Sequence, residues 1–209
     1  MKYYKDTELK IVGQLLRKPQ ESMSLHKLAE DTGLSYVTVH GVVPHLVRKK
    51  LVQLEKKGKS HLVSVDFEWG IISDVSAASF FLRERFLRKY PSIALLVREV
   101  DEVLQGKFYV SLLFGSYAQE KPRKDSDIDM LFLIPSEEMR DEYIKSIQHV
   151  FSLYPNLRID YKVIPVTDFM EMLEQKYSVG RSVFQHGLVL FGAEYYYTLV
   201  RDYVRTKGY

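Results

Sequence analysis

The chain has 209 residues, of which 46% are hydrophobic and 27% charged, with a formal net charge of +3 and no cysteine. That length suits one large or two small domains, and the composition is that of a globular protein rather than a disordered one. Without cysteine there are no disulfides, no thiolate catalysis and no cysteine-ligated zinc or iron–sulfur centre, so any metal takes oxygen or imidazole ligands.

No run of eighteen apolar residues is present and no basic-then-apolar leader opens the chain, so a cytoplasmic protein without a membrane partner is expected. The six histidines show no paired spacing that suggests zinc. Charge is uneven: residues 1–68 hold twelve Lys and Arg against eight Asp and Glu, a net +4, and the remainder is at −1. A polyanionic partner is expected at the basic front.

In residues 7–18, Leu9, Ile11, Val12, Leu15 and Leu16 recur at helical spacing and stop at Pro19. Ser24 is placed to cap a second helix over 24–31, with Leu25, Leu28 and Ala29 inward. Thr32-Gly33-Leu34-Ser35 then turns the chain, Gly33 taking the left-handed conformation and Ser35 capping a third helix. That helix, 36–50, has Val39, Val43, Leu46 and Val47 at core spacing and leaves Tyr36, Thr38 and His40 on the opposite side. Pro44 within it predicts a kink or an early end. Residues 51–68 alternate apolar and polar around Lys56-Lys57-Gly58-Lys59, a β-hairpin with a basic tip.

Three helices and a basic hairpin resemble the winged helix-turn-helix domain of archaeal and bacterial transcription regulators, over residues 1–68. The resemblance implies that Ser35, Tyr36, Thr38 and His40 approach base edges and phosphates in the major groove. Lys56, Lys57 and Lys59 would run along the DNA backbone as a wing. Winged helices also serve as protein-docking or dimerisation modules, and a lysine-rich tip is often only a soluble turn.

Residues 69–106 read as linking and packing helices. One over 73–90 carries Val75, Ala78, Phe81, Leu82 and Phe86 with a basic side and ends before Pro91; a second runs over 92–105 and stops at Gly106. The first has apolar residues enough for a homodimer seam.

The most informative stretch follows. An apolar run, 110–114, stops at Gly115-Ser116, a polar loop intervenes, and a second apolar run begins inside Asp127-Ile128-Asp129 and continues to Ile134. This reads as strand, phosphate-sized turn, strand. Residues two apart on a strand share a face, so Asp127 and Asp129 present paired carboxylates while Ile128 points into the core. Paired like charges call for a cation, and hard oxygen donors at this spacing suit Mg²⁺ shared with substrate phosphates. Gly115 lets the backbone approach a phosphate closely.

The pattern resembles the signature of the DNA polymerase beta nucleotidyltransferase superfamily, and within it the minimal nucleotidyltransferases. The resemblance implies Mg²⁺-dependent transfer of a nucleoside monophosphate from a nucleoside triphosphate. Gly115, Ser116 and Ser126 would bind the nucleotide, and a third carboxylate, Asp160 in the run 157–166, would join Asp127 and Asp129 in holding metal and in catalysis. Arg158 and Lys162 flank Asp160 at alternate positions and offer it ordinary ion pairs instead. Some members resemble antitoxins that adenylylate a partner toxin, which implies a protein acceptor. Many members have a glycine where this chain has Glu120, and an acidic side chain there would repel a triphosphate. The alternative is therefore a weak or inactive transferase domain that senses a nucleotide or dimerises within a DNA-binding regulator or antitoxin.

Ser136 is expected to cap a helix to about residue 154, opened by Glu137 and Glu138. After the Asp160 strand come helices over 168–176 and 178–186, a short apolar turn over 187–192, and a last helix over 194–206 rich in tyrosine. The expected fold is α+β: a winged helix-turn-helix over 1–68, linking helices over 69–106, and over 107–209 a small mixed-sheet nucleotidyltransferase domain with C-terminal helices.

Overall fold

The computed structural model describes residues 5–58, 60–70 and 72–207. It is an α+β protein in two compact units. One holds the residues up to Leu82 together with those from Tyr197 onward, and the other is Arg83–Tyr196.

In the first unit the order is α1 (Asp6–Leu16), β1 (Met23–Ser24), α2 (Leu25–Thr32), α3 (Tyr36–Arg48), β2 (Val52–Lys57) and β3 (Ser60–Val65). The strands form an antiparallel sheet in the order β1-β3-β2. Its core is apolar and closed: Ile11, Leu28, Val39, Leu46 and Val63 have no exposed surface. Local chemistry sets the ends of the helices. The Ser24 hydroxyl accepts the Lys27 N–H at 3.2 Å, Gly33 ends α2 at φ 67°, and the Ser35 hydroxyl accepts the Thr38 N–H at 3.1 Å at the start of α3.

Losing the last of these bonds leaves an orphan amide, so Ser35→Ala is expected to destabilise the protein by about 1 kcal/mol. Urea unfolding at equal slope checks this.

Pro44 does not end α3, which continues one turn to Arg48. Pro44 has no N–H to give the carbonyl four residues back, but the buried side chains of Val43 and Leu46 on either side hold that turn in place.

The second unit begins within α4 (Ile72–Lys89) and contains α5 (Pro91–Val103), β4 (Val110–Phe114), α6 (Gly115–Ala118), β5 (Ile128–Ile134), α7 (Arg140–Ser152), β6 (Ile159–Pro165), α8 (Val166–Glu174), α9 (Val179–His186), β7 (Leu188–Phe191) and the start of α10 (Ala193–Lys207). The four strands make one mixed sheet, β6-β5-β4-β7, in which only β5 and β6 run parallel. All of β5 except Asp129 is buried, as expected of a central strand covered on both faces. α7 connects the parallel pair and covers one face, its Phe151 lying 6.3 Å from the Phe132 ring and 5.0 Å from Tyr161.

Three local expectations change. Residues 188–191 are a strand, not a turn: Leu188, Val189 and Phe191 pair with β4 across a bulge at Ser111/Leu112. A four-residue apolar run does not reveal whether a neighbour will supply its hydrogen bonds. Ser136 makes no capping bond, and a single 3-10 turn, Glu137–Met139, precedes α7. Its hydroxyl instead bonds Glu138, which holds that carboxyl below its ordinary value. α8 starts at Val166, ahead of Asp168. The compact units divide between Leu82 and Arg83, within α4, and between Tyr196 and Tyr197, within α10. Periodicity locates a helix, but not which core buries each of its turns.

Candidate functional site

The acidic cluster of the second unit is assembled by strand register. In the antiparallel pair, Phe114, the last residue of β4, lies opposite Asp129; in the parallel pair, Asp129 lies opposite Asp160. Asp127 precedes β5 by one residue, so the strand repeat of two carries Asp127 and Asp129 on one side while the Ile128 side chain is buried. The Ile128 N–H is taken by the Arg158 carbonyl at 2.8 Å, which ties the start of β5 to the approach of β6.

The consequence is electrostatic. Asp127 and Asp160 are exposed and Asp129 half-buried. Burial pushes the Asp129 carboxyl above the ordinary carboxylate value, and the negative charges of Asp160 and then Asp127 push it further. Two negative charges thus act on a third carboxyl, and all three groups offer hard oxygen atoms, the donor chemistry that divalent cations favour. Among the described residues no group of three or more His, Asp or Glu is placed to hold a metal ion.

Gly115 is built into the same arrangement. Its backbone is left-handed at φ +68°, and a Cβ placed on it would fall 2.0 Å from Asp129 Oδ2 and 2.8 Å from Asp129 Cγ. The Asp129 carboxylate therefore packs against bare backbone where any other residue would put a side chain. Ser116 follows in the first turn of α6, and its carbonyl accepts the Lys121 N–H at 2.9 Å. Ser126 shapes the loop before the first aspartate: its hydroxyl accepts the Arg123 N–H at 2.8 Å and its own N–H donates to the Arg123 carbonyl at 3.1 Å.

Glu120 has a backbone reason for attention that the sequence did not reveal. It sits at φ 56°, in the left-handed region. Its N–H donates to the Tyr117 carbonyl at 3.0 Å, and the next N–H, of Lys121, reaches back to Ser116. That pair of bonds is the Schellman termination of a helix, in which the residue after the cap is ordinarily glycine. The position wants glycine for its conformation, and its carboxylate is paired with Lys89 Nζ at 3.6 Å. Glu120→Gly is thus expected to stabilise the protein by roughly 1 kcal/mol, since relief of left-handed strain outweighs the loss of a half-exposed ion pair. A higher midpoint in thermal unfolding checks it.

The residues expected to meet DNA lie on the first unit, at the start of α3 and in the hairpin. The Ser35 and Thr38 hydroxyls are bonded to each other at 2.7 Å, so both are engaged in the helix cap. The Tyr36 ring is stacked on His26 at 4.3 Å and lies 5.9 Å from the His40 ring. Lys56 and Lys57 are exposed on β2, opposite His61 and Ser60. Lys59 lies outside the described residues. Val37 was not among the expected residues, yet at 79% exposure it is the most open side chain of those on α3 with a large hydrophobic group. Its signal was available: Val37 is in phase with Gly41 and Pro44, not with Val39, Val43 and Leu46.

In comparisons with known proteins, the family model described as polymerase beta nucleotidyltransferase matches residues 99–195. The sequence matches no curated protein. Among solved structures, one described as the transcriptional regulator PA4135 is 20% identical, covering 50% of this chain and 80% of that one with a TM-score of 0.32. Another, described as a toxin–antitoxin with AMP-PNP, is 18% identical, covering 54% of this chain and 90% of that one, also with a TM-score of 0.32. Over residues 99–195, the stretch that holds Gly115, Ser116, Asp127, Asp129 and Asp160, the chain matches the nucleotidyltransferase domain of the polymerase beta family.

Proposed function

We propose that the second unit transfers a nucleoside monophosphate from a nucleoside triphosphate to a hydroxyl acceptor, and that the first unit binds DNA. The observation that carries the transferase reading is the register of Asp129 with Asp160 beside a glycine that leaves room only for the Asp129 carboxylate. Gly115 and Ser116 bind the β- and γ-phosphates, with Ser126 holding the loop that follows. Asp127 and Asp129 would hold a Mg²⁺ ion, and Asp160 would help to hold a second. When bound, such ions neutralise charge on the phosphates as the α-phosphorus is attacked. Asp160 also takes the proton from the attacking hydroxyl; the new oxygen–phosphorus bond forms as the bond to pyrophosphate breaks. A protein tyrosine or serine, on a toxin partner for example, is the acceptor this reading favours.

The test is calorimetric titration of ATP, GTP, CTP and UTP, with and without Mg²⁺, into the protein and into its Asp127→Ala variant. Metal-dependent micromolar binding that the substitution abolishes is expected; no binding of any of the four would sink the transferase reading.

Glu120 favours a second reading, in which a negative charge and a strained backbone just after Gly115-Ser116 weaken nucleotide chemistry. The transferase domain then senses a nucleotide or dimerises within a DNA-binding regulator. Sequence-selective gel shifts together with absent nucleotide transfer would select it; binding that is only non-specific and salt-sensitive would count against it.

A further inference from the structure

Val37, Gly41, Pro44 and Arg48 are all exposed, and steps of four, three and four residues place them in a single stripe along α3. Its first three members are poor helix residues. Val37 leaves 79% of its surface open while Val39 and Val43 are buried. A Cβ added to Gly41 would meet nothing within 4 Å, so no packing inside the chain asks for glycine there. Pro44 gives up a mid-helix amide bond. Each choice weakens a helix. What Val37, Gly41 and Pro44 share is a low, uncharged profile over about two turns, which a close-fitting external surface would use.

The charges around the stripe identify that surface. Arg48 and Lys50 lie at its far end, and Lys56 and Lys57 are exposed on the hairpin. A DNA major groove presents thymine C5-methyl groups on its floor and phosphates along its walls, which matches a stripe of small uncharged residues that runs into cations on a unit carrying further exposed lysines. In the first turn the neighbours of Val37 are already committed: Tyr36 is stacked on His26, and Thr38 is bonded to Ser35.

We propose that Val37 packs on a thymine C5-methyl in the major groove, with Gly41 letting the α3 backbone approach the groove floor. The assignment rests on the DNA-binding reading of the first unit and adds to it a base and the residue that reads it.

The test uses the full chain and a duplex selected with it from a random-sequence pool, at fixed salt. Each thymine is replaced in turn by uracil, which removes the methyl alone. One or two positions are expected to lose roughly three- to tenfold in affinity. Val37→Ala should lose a similar factor on the thymine duplex and nothing further on the uracil duplex. Gly41→Ala should bind at least about tenfold more weakly while melting at the same temperature or higher, an outcome that a purely structural glycine would not produce. Sequence-selective binding indifferent to every uracil replacement and to both variants would overturn the proposal and leave the DNA-binding reading intact. If no duplex is enriched, the DNA-binding reading itself fails. If no duplex is enriched but the stripe variants alter self-association, the stripe is a protein surface and the proposal is overturned.

Discussion

Asp129→Asn is expected to lower nucleotide transfer by at least about a thousandfold without weakening the fold. The loss follows from charge. Stabilising phosphate charge through a bound cation contributes several kcal/mol to a transition state, each 1.36 kcal/mol is a factor of ten, and the amide is a far poorer ligand for a hard cation than the carboxylate. The stability follows from the charge that the same substitution removes. Asp129 titrates above its ordinary value because burial and the charges of Asp160 and Asp127 disfavour its ionised form.

A carboxyl whose folded-state pKa is raised costs stability when ionised. The cost is absent below the ordinary carboxylate range, grows as pH rises towards the raised folded-state value, and is full above it. In metal-free solution the Asn variant should therefore melt above the parent protein at pH 8, and the gap should close near pH 4. Added Mg²⁺ should raise the melting temperature of the parent protein and leave the variant unmoved. Single-turnover transfer and calorimetric melting at the two pH values check both halves. A variant with normal transfer, or one that melts lower at pH 8, would mean that the charges of Asp160 and Asp127 do not act on Asp129.

Gly115→Ala should be nearly as damaging to activity, with the opposite sign in stability. Two faults coincide at one atom. An L-residue at φ +68° carries left-handed strain of roughly 1–2 kcal/mol, and its Cβ would stand 2.0 Å from Asp129 Oδ2. The obstructed atoms belong to a side chain, so the substitution is accommodated by turning the Asp129 carboxylate away rather than by unfolding the sheet. A displacement of about 1 Å at a reacting centre is enough to cost on the order of a hundredfold. The variant should fold, lose about 1–3 kcal/mol of stability and lose transfer by at least a hundredfold. Urea unfolding and transfer kinetics on one preparation separate the two effects. Retention of activity within fivefold would show that the contact between Gly115 and Asp129 does not position the acid.

Local chemistry made much of the chain legible. Ser24, Gly33 and Ser35 are read from sequence as two caps and a stop, and they act as such because capping depends only on residues within one turn. Asp127 and Asp129 are read as a pair because a strand repeats every two residues, whatever lies beside it. Glu120 is legible as a departure from glycine, but its left-handed backbone and its contact with Lys89 are not, since one belongs to the termination of a four-residue helix and the other to a residue thirty-one positions away.

The sequence by itself determined the α+β class, the basic front, the absence of thiol chemistry and the spacing from Gly115-Ser116 to Asp127 and Asp129, all of which depend on composition or on neighbours along the chain. Only the tertiary structure decided that Asp160 lies beside Asp129, that Gly115 packs against its carboxylate, that residues 188–191 close the sheet as a strand, and that Val47, at core spacing in the sequence, is left exposed. The reason is physical: register between strands, and the choice of which apolar side chains are covered, are set by burial and hydrogen bonding between segments far apart in the chain, where no local periodicity reaches.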